Sequence, residues 1–127
     1  MSSSTLVGPR IAPLERVPIA NPRVIDSFGI SVLQVKVDQQ IQITADISNQ
    51  NIASQSFIYL AQIQDSSGAV QSLSWITGNL VKGQSFSPAV SWIPEISGEY
   101  AATVFVWNSL DNPIALSPPL EFSINVT

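Results

Sequence analysis

The sequence predicts an all-β fold in which two antiparallel sheets pack face to face, and three observations carry that reading. Apolar residues alternate with period two, most cleanly across Gln40–Ser48, and no stretch repeats with a helical period. Turn-forming residues punctuate the chain about every ten residues, as expected of a sandwich. The chain has 127 residues, 45% of them apolar and 11% charged, which is enough for one packed core and too apolar for disorder. About seven or eight strands follow from this spacing.

The most informative stretch is Trp92–Trp107, W-I-P-E-I-S-G-E-Y-A-A-T-V-F-V-W. Pro94 cannot donate to a ladder and ends the strand that carries Trp92. Gly98 can supply a positive φ, and Tyr100 opens a long strand. Tyr100, Ala102, Val104 and Val106 share one face of it, and Ala101, Thr103, Phe105 and Trp107 share the other.

The remaining elements follow in chain order. Residues 1–10 read as a flexible polar tail. In residues 11–22, Pro13, Pro18 and Pro22 exclude a helix and leave an extended arm that carries Ile11, Leu14, Val17 and Ile19. That arm is either a linker or a segment that docks on a sheet. The sandwich domain is expected over 21–127, after an arm and tail at 1–20. Arg23–Phe28 is a first strand, continued over Ile30–Val37, and Asp38-Gln39-Gln40 turns the chain. In the next strand Ile41, Ile43, Ala45 and Ile47 point inward, and Gln42, Thr44, Asp46 and Ser48 point outward. Asn49–Asn51 is a loop. Phe57–Gln64 is apolar on both faces at its start and ends in the hairpin turn Asp65–Gly68. Ala69–Thr77 returns, Gly78–Gly83 connects, and Ser85–Trp92 is a strand that Pro88 confines to an edge or bulge. After loops at Asn108–Pro113 and Pro118-Pro119, the residues Leu120, Phe122, Ile124 and Val126 close the domain with period two.

Pro94, Gly98 and Tyr100 in this order resemble the tyrosine corner of immunoglobulin-type sandwiches, with Ala102 where antibody domains carry their second cysteine. The span Asn21–Thr127 resembles the immunoglobulin-like or fibronectin-III-like modules of prokaryotic cell-surface proteins. The segments that carry this likeness are Asp38-Gln39-Gln40-Ile41, Ile47-Ser48-Asn49, Leu80–Ser85 and W-I-P-E-I-S-G-E-Y. The tail F-V-W-N-S-L-D-N-P-I-A-L-S-P-P-L is similar to modules of large surface proteins of ammonia-oxidising archaea. The resemblance implies an immunoglobulin-like two-sheet antiparallel sandwich and a role as spacer, stalk or adhesive unit. One departure is the turn at Asp38-Gln39, which lacks the glycine common there.

Composition narrows the chemistry. The chain has no His and no Cys, so serine triads, cysteine nucleophiles, zinc sites and blue-copper sites lack a required member. Glu95, Glu99 and Asp111 read as solvated loop charges, and Asp65 and Asp111 stand too far apart in sequence to suggest calcium. No enzyme activity, cofactor or metal is expected. Net charge is −4 and the five basic residues, Arg10, Arg16, Arg23, Lys36 and Lys82, are scattered, which argues against nucleic acid as a partner. No apolar run is long enough to span a bilayer. An extracellular or cell-surface location is expected, with the leader peptide not present in this chain, since Met1-Ser-Ser-Ser is followed by no apolar leader region. Asn125-Val126-Thr127 is an N-glycosylation sequon and makes Asn125 a candidate for modification.

The remaining signal is surplus apolar surface. Ile58 and Leu60 lie opposite the core parity of their strand, as do Phe105 and Trp107 of theirs. In neighbouring strands the four would share an outer sheet face, where polar residues are usual. Together with the arm residues Ile11, Leu14, Val17 and Ile19, they form the expected interaction surface. Its expected partner is protein, through self-association or neighbouring domains of a surface assembly or filament. The alternative is a carbohydrate-binding or adhesin module with Trp75 and Trp107 as the platform.

Overall fold

The computed structural model describes residues 11–127, and the flexible tail expected at 1–10 lies outside the described residues. The strands are β1 (Ile19–Ile25), β2 (Ile41–Ser48), β3 (Gln55–Asp65), β4 (Val70–Leu80), β5 (Ser85–Phe86), β6 (Ala89–Trp92), β7 (Gly98–Trp107) and β8 (Leu120–Val126). Every strand pairing is antiparallel. One sheet has the order β1-β2-β5, with β6 also paired to β2; the other has the order β4-β3-β7-β8.

The core lies between the sheets. Ile41, Ile43, Ala45 and Ile47 from β2 share it with Phe57, Tyr59, Ala61 and Ile63 from β3 and with Ala102, Val104 and Val106 from β7. Burial pushes the Tyr59 phenol pKa upward, and its hydroxyl donates across the core to the Ile43 carbonyl at 3.1 Å. The corner at Tyr100 forms as the sequence suggests: its hydroxyl donates to the Ile96 carbonyl at 2.5 Å, and its ring meets Trp92 edge-on with centroids 5.0 Å apart. Replacing Tyr100 by Phe is expected to lower the unfolding free energy by about 1 kcal/mol, measured by urea titration.

Several sequence expectations need correction. The arm is not wholly extended, because Pro13–Glu15 forms a single 3-10 turn with proline in its first turn, where no N–H is required. The first strand is Ile19–Ile25 rather than Arg23–Phe28. Asn21 takes φ 52° and, with Pro22, makes a bulge that shifts the register from Ala20↔Asp46 to Arg23↔Thr44. Ile30–Val37 is not a strand. The Asp26 carboxylate accepts the N–H groups of Phe28 and Ile30 and curls the chain away from β1. Asp38 itself adopts φ 67° and so performs the turn where glycine was missing. β4 runs on through Gly78 to Leu80, and the Phe57 ring lies so close that a β-carbon at Gly78 would sit 2.9 Å from it.

The expected strand Ser85–Trp92 is interrupted at Ser87-Pro88. That break folds over Thr44, which is buried rather than outward, with its hydroxyl donating to the Pro88 carbonyl at 2.6 Å. Asp46 ties both irregularities of this sheet together. Its carboxylate accepts from Ser87 Oγ at 2.7 Å, Asn21 Nδ2 at 3.1 Å and Arg23 Nη1 at 3.1 Å. The Ser87 hydroxyl, then the Asn21 amide and Arg23, hold its pKa below the usual carboxylate value. On β8, Ile124 and Val126 are buried, and Leu120 and Phe122 are only partly buried. Phe122 pairs with Ala102 but faces a groove lined by Pro22, Val24, Val32 and Leu33, where the sheets part.

Candidate functional site

The register of the β4-β3-β7-β8 sheet determines what its outer face presents. Past a one-residue register shift between Ile63 and Gln64, Leu60 stands between Trp75 on β4 and Phe105 on β7, and Ile58 stands between Thr77 and Trp107. The next row is Leu73, Gln62, Thr103 and Glu121. Cross-strand neighbours on one face lie within side-chain contact. The rings of Phe105 and Trp107 are 5.6 Å apart and tilted by 55°.

This face has a floor and a rim. Ile58 and Leu60, expected as exposed contact residues, are 0% and 3% exposed. Their aromatic cross-strand neighbours roof them over, so they anchor the face without presenting it. Trp75 and Leu73 are 48% and 49% exposed, and Phe105 and Trp107 are partly exposed. The two candidate platform residues, Trp75 and Trp107, therefore lie on the same face as the apolar patch, one on each side of β3. The sequence reading missed Leu73 as a member, because a one-residue register shift between Ile63 and Gln64 sets it opposite Gln62, where counting from the hairpin turn places Ser72. Thr77, Gln62, Thr103 and Glu121 supply the polar margin, and Thr103 Oγ1 and Glu121 Oε2 are 3.4 Å apart.

The arm residues lie elsewhere. Val17 and Ile19, expected as contact residues, are buried in the chain's own core. Val17 N–H donates to the Leu116 carbonyl at 3.0 Å, Ile19 N–H to Ser117 Oγ at 3.1 Å, and Gln50 N–H to the Arg16 carbonyl at 2.7 Å. Prolines keep this segment extended, and an extended segment can satisfy its main chain only against a neighbouring one, here the loop before β8. Leu14 is half-exposed and Ile11 partly exposed. Asn125 is exposed on β8 opposite Glu99. Among the described residues, no three His, Cys, Asp or Glu side chains stand together as metal ligands, and no helix is long and apolar enough to cross a membrane.

Comparison with solved structures establishes the fold. The chain is similar to the CARDB domain of the PF1109 protein from Pyrococcus furiosus, a structure solved in complex with di-metal ions, at 14% identity and TM-score 0.64 over 91% of this chain and 96% of that one. It is similar to the C-terminal domain of Wzt at 12% identity and TM-score 0.70, covering 89% and 74% of the two chains. A β-glucosidase from Erythrobacter marinus contains a similar domain at 12% identity and TM-score 0.62, but the likeness covers 87% of this chain and only 15% of the enzyme. The chain is an immunoglobulin-like β-sandwich. At these identities the likeness extends to fold and no further. No protein-family model and no curated protein matches the sequence.

Proposed function

We propose that this domain is a non-catalytic structural module of a cell-surface protein or extracellular filament, and that it docks neighbouring protein on the outer face of the β4-β3-β7-β8 sheet. One observation carries the reading. Trp75, Leu73, Phe105 and Trp107 form a contiguous, partly exposed apolar face on a sheet whose outer side is ordinarily polar. Small sandwich domains as structural neighbours support a module role.

Carbohydrate is the second reading, favoured by one feature of the same face. The half-exposed Trp75 indole lies one row from Gln62, Thr103 and Glu121, so apolar surface and hydrogen-bonding groups sit side by side. The substitution Trp107→Ala separates the two and leaves the β4 edge, two strands away, untouched. Sedimentation velocity that shows higher-order assembly lost in Trp107→Ala, with a glycan array blank for both proteins, supports protein docking. Array binding that disappears in Trp107→Ala makes the face a sugar platform. Unchanged sedimentation with no array binding removes both readings.

A further inference from the structure

Each sheet of a sandwich ends in two edge strands, and an edge left open is a template for pairing with another chain. Three of the four edges here are blocked. β1 is kinked by the Asn21-Pro22 bulge, and Val32 N–H occupies its Val24 carbonyl at 2.9 Å. The β5–β6 edge is broken at Ser87-Pro88, where Asp46 clamps Ser87. β8 is covered by a segment of the β1–β2 connection: Val35 N–H donates to Asn125, Thr127 N–H to Val35, and Val37 N–H to Thr127.

β4 is different. Val70–Leu80 is eleven residues long and contains no charged residue and no proline. The direction of its free groups follows from the hairpin. Asp65 N–H donates to the Ala69 carbonyl, so Ile63, Ala61, Tyr59 and Phe57, counted back in twos, bond toward β4. Their partners are Ser72, Ser74, Ile76 and Gly78. Leu73, Trp75, Thr77 and Asn79 therefore aim their N–H and C=O groups away from the sheet. The bonds on the far side, Leu116 N–H to Val106 and Val35 N–H to Asn125, have the same phase. Among the described residues, no hydrogen bond reaches the outward groups of these four β4 residues.

We infer that β4 is a strand-pairing interface whose occupant is β4 of a second copy of this chain, related by a two-fold axis at Trp75. The other copy offers no second open edge among the described residues, so pairing between copies must be isologous and closes at a dimer. Trp75 is the midpoint of Val70–Leu80 and of its regular stretch Ser72–Gly78, which lies past the register shift at Gln71, so an axis there pairs that stretch with itself and sets Leu73 against Thr77 of the partner copy. No charge opposes a like charge along it. Just beyond its end, Lys82 falls beside the partner copy's hairpin, where Asp65 supplies a carboxylate. The two outer faces then continue as one eight-stranded surface. This inference does not depend on what the aromatic face binds.

The test is sedimentation equilibrium with thermal melting on the full chain and on Thr77→Pro. Proline at Thr77 removes an outward N–H and leaves the β3 ladder intact, a position where edge strands accept it. The expected result is a wild-type dimer, a Thr77→Pro protein that dimerises at least about tenfold more weakly yet melts at the same temperature when both are diluted to monomers, and a dimer retained in Trp107→Ala. If Thr77→Pro folds poorly, Trp75→Lys replaces it, because two ammonium groups would then meet at the axis. A wild-type monomer into the millimolar range overturns the inference. So does a dimer indifferent to both edge substitutions, or one lost when only residues 1–10 are deleted.

Discussion

Asn49→Ala is expected to lower the unfolding free energy by about 3 kcal/mol, although the residue lies in a loop. Its side chain is 1% exposed and fully engaged: Nδ2 donates to the carbonyls of Ala53 and Leu80, each at 2.9 Å, and Oδ1 accepts from Asn51 N–H at 2.9 Å. Its main chain accepts from Gly83 N–H and donates to the Gln84 carbonyl, so one residue ties the β2–β3 loop to the β4–β5 loop. Alanine keeps the main-chain bonds and removes the three others. The Leu80 carbonyl, on a residue 1% exposed, is then left buried with one bond fewer, and that loss costs more than a hydrogen bond in water contributes. Urea unfolding measures the change. A loss below about 1 kcal/mol would mean that water replaces the amide and that the site is wetter than its burial indicates.

Asn49 marks where sequence reading reaches its limit. Asn49-Gln50-Asn51 is recognisable as a loop because its composition is local information. That one of its amides bonds Leu80, 31 residues away, is not. The same division runs through the molecule. The alternation of Ile41–Ser48, the Asp65–Gly68 turn and the Tyr100 corner are written in residues close together, and all three stand in the structure. Thr44 has outward parity, yet Pro88, far along the chain, closes over it. Ile58 and Leu60 were identifiable as surplus apolar residues on the outer face. Their burial depends on Trp75, Phe105 and Trp107 lying beside them, which only strand register determines. Part of the candidate site was therefore legible as a face and illegible as a floor with a rim.

Deleting residues 1–20 is expected to lower the melting temperature by roughly 10 °C or more relative to deleting residues 1–10 alone. The comparison isolates Ile11–Ala20. Within it Val17 is 0% and Ile19 is 9% exposed, and burying two such side chains contributes about 1.5–3 kcal/mol each. Their loss uncovers Leu116, itself fully buried, and leaves the Leu116 carbonyl and Ser117 Oγ without the main-chain donors they receive now. For a domain of this size each kcal/mol moves the midpoint by a few degrees. The prolines explain why so short a segment holds its place. Pro13 and Pro18 restrict the unfolded arm, so less conformational entropy is lost when it docks. A segment that serves only to reach another copy would leave the monomer's melting unchanged when removed. Differential scanning calorimetry of the two truncations decides the matter, and equal midpoints would show that the arm adds nothing to the stability of its own domain.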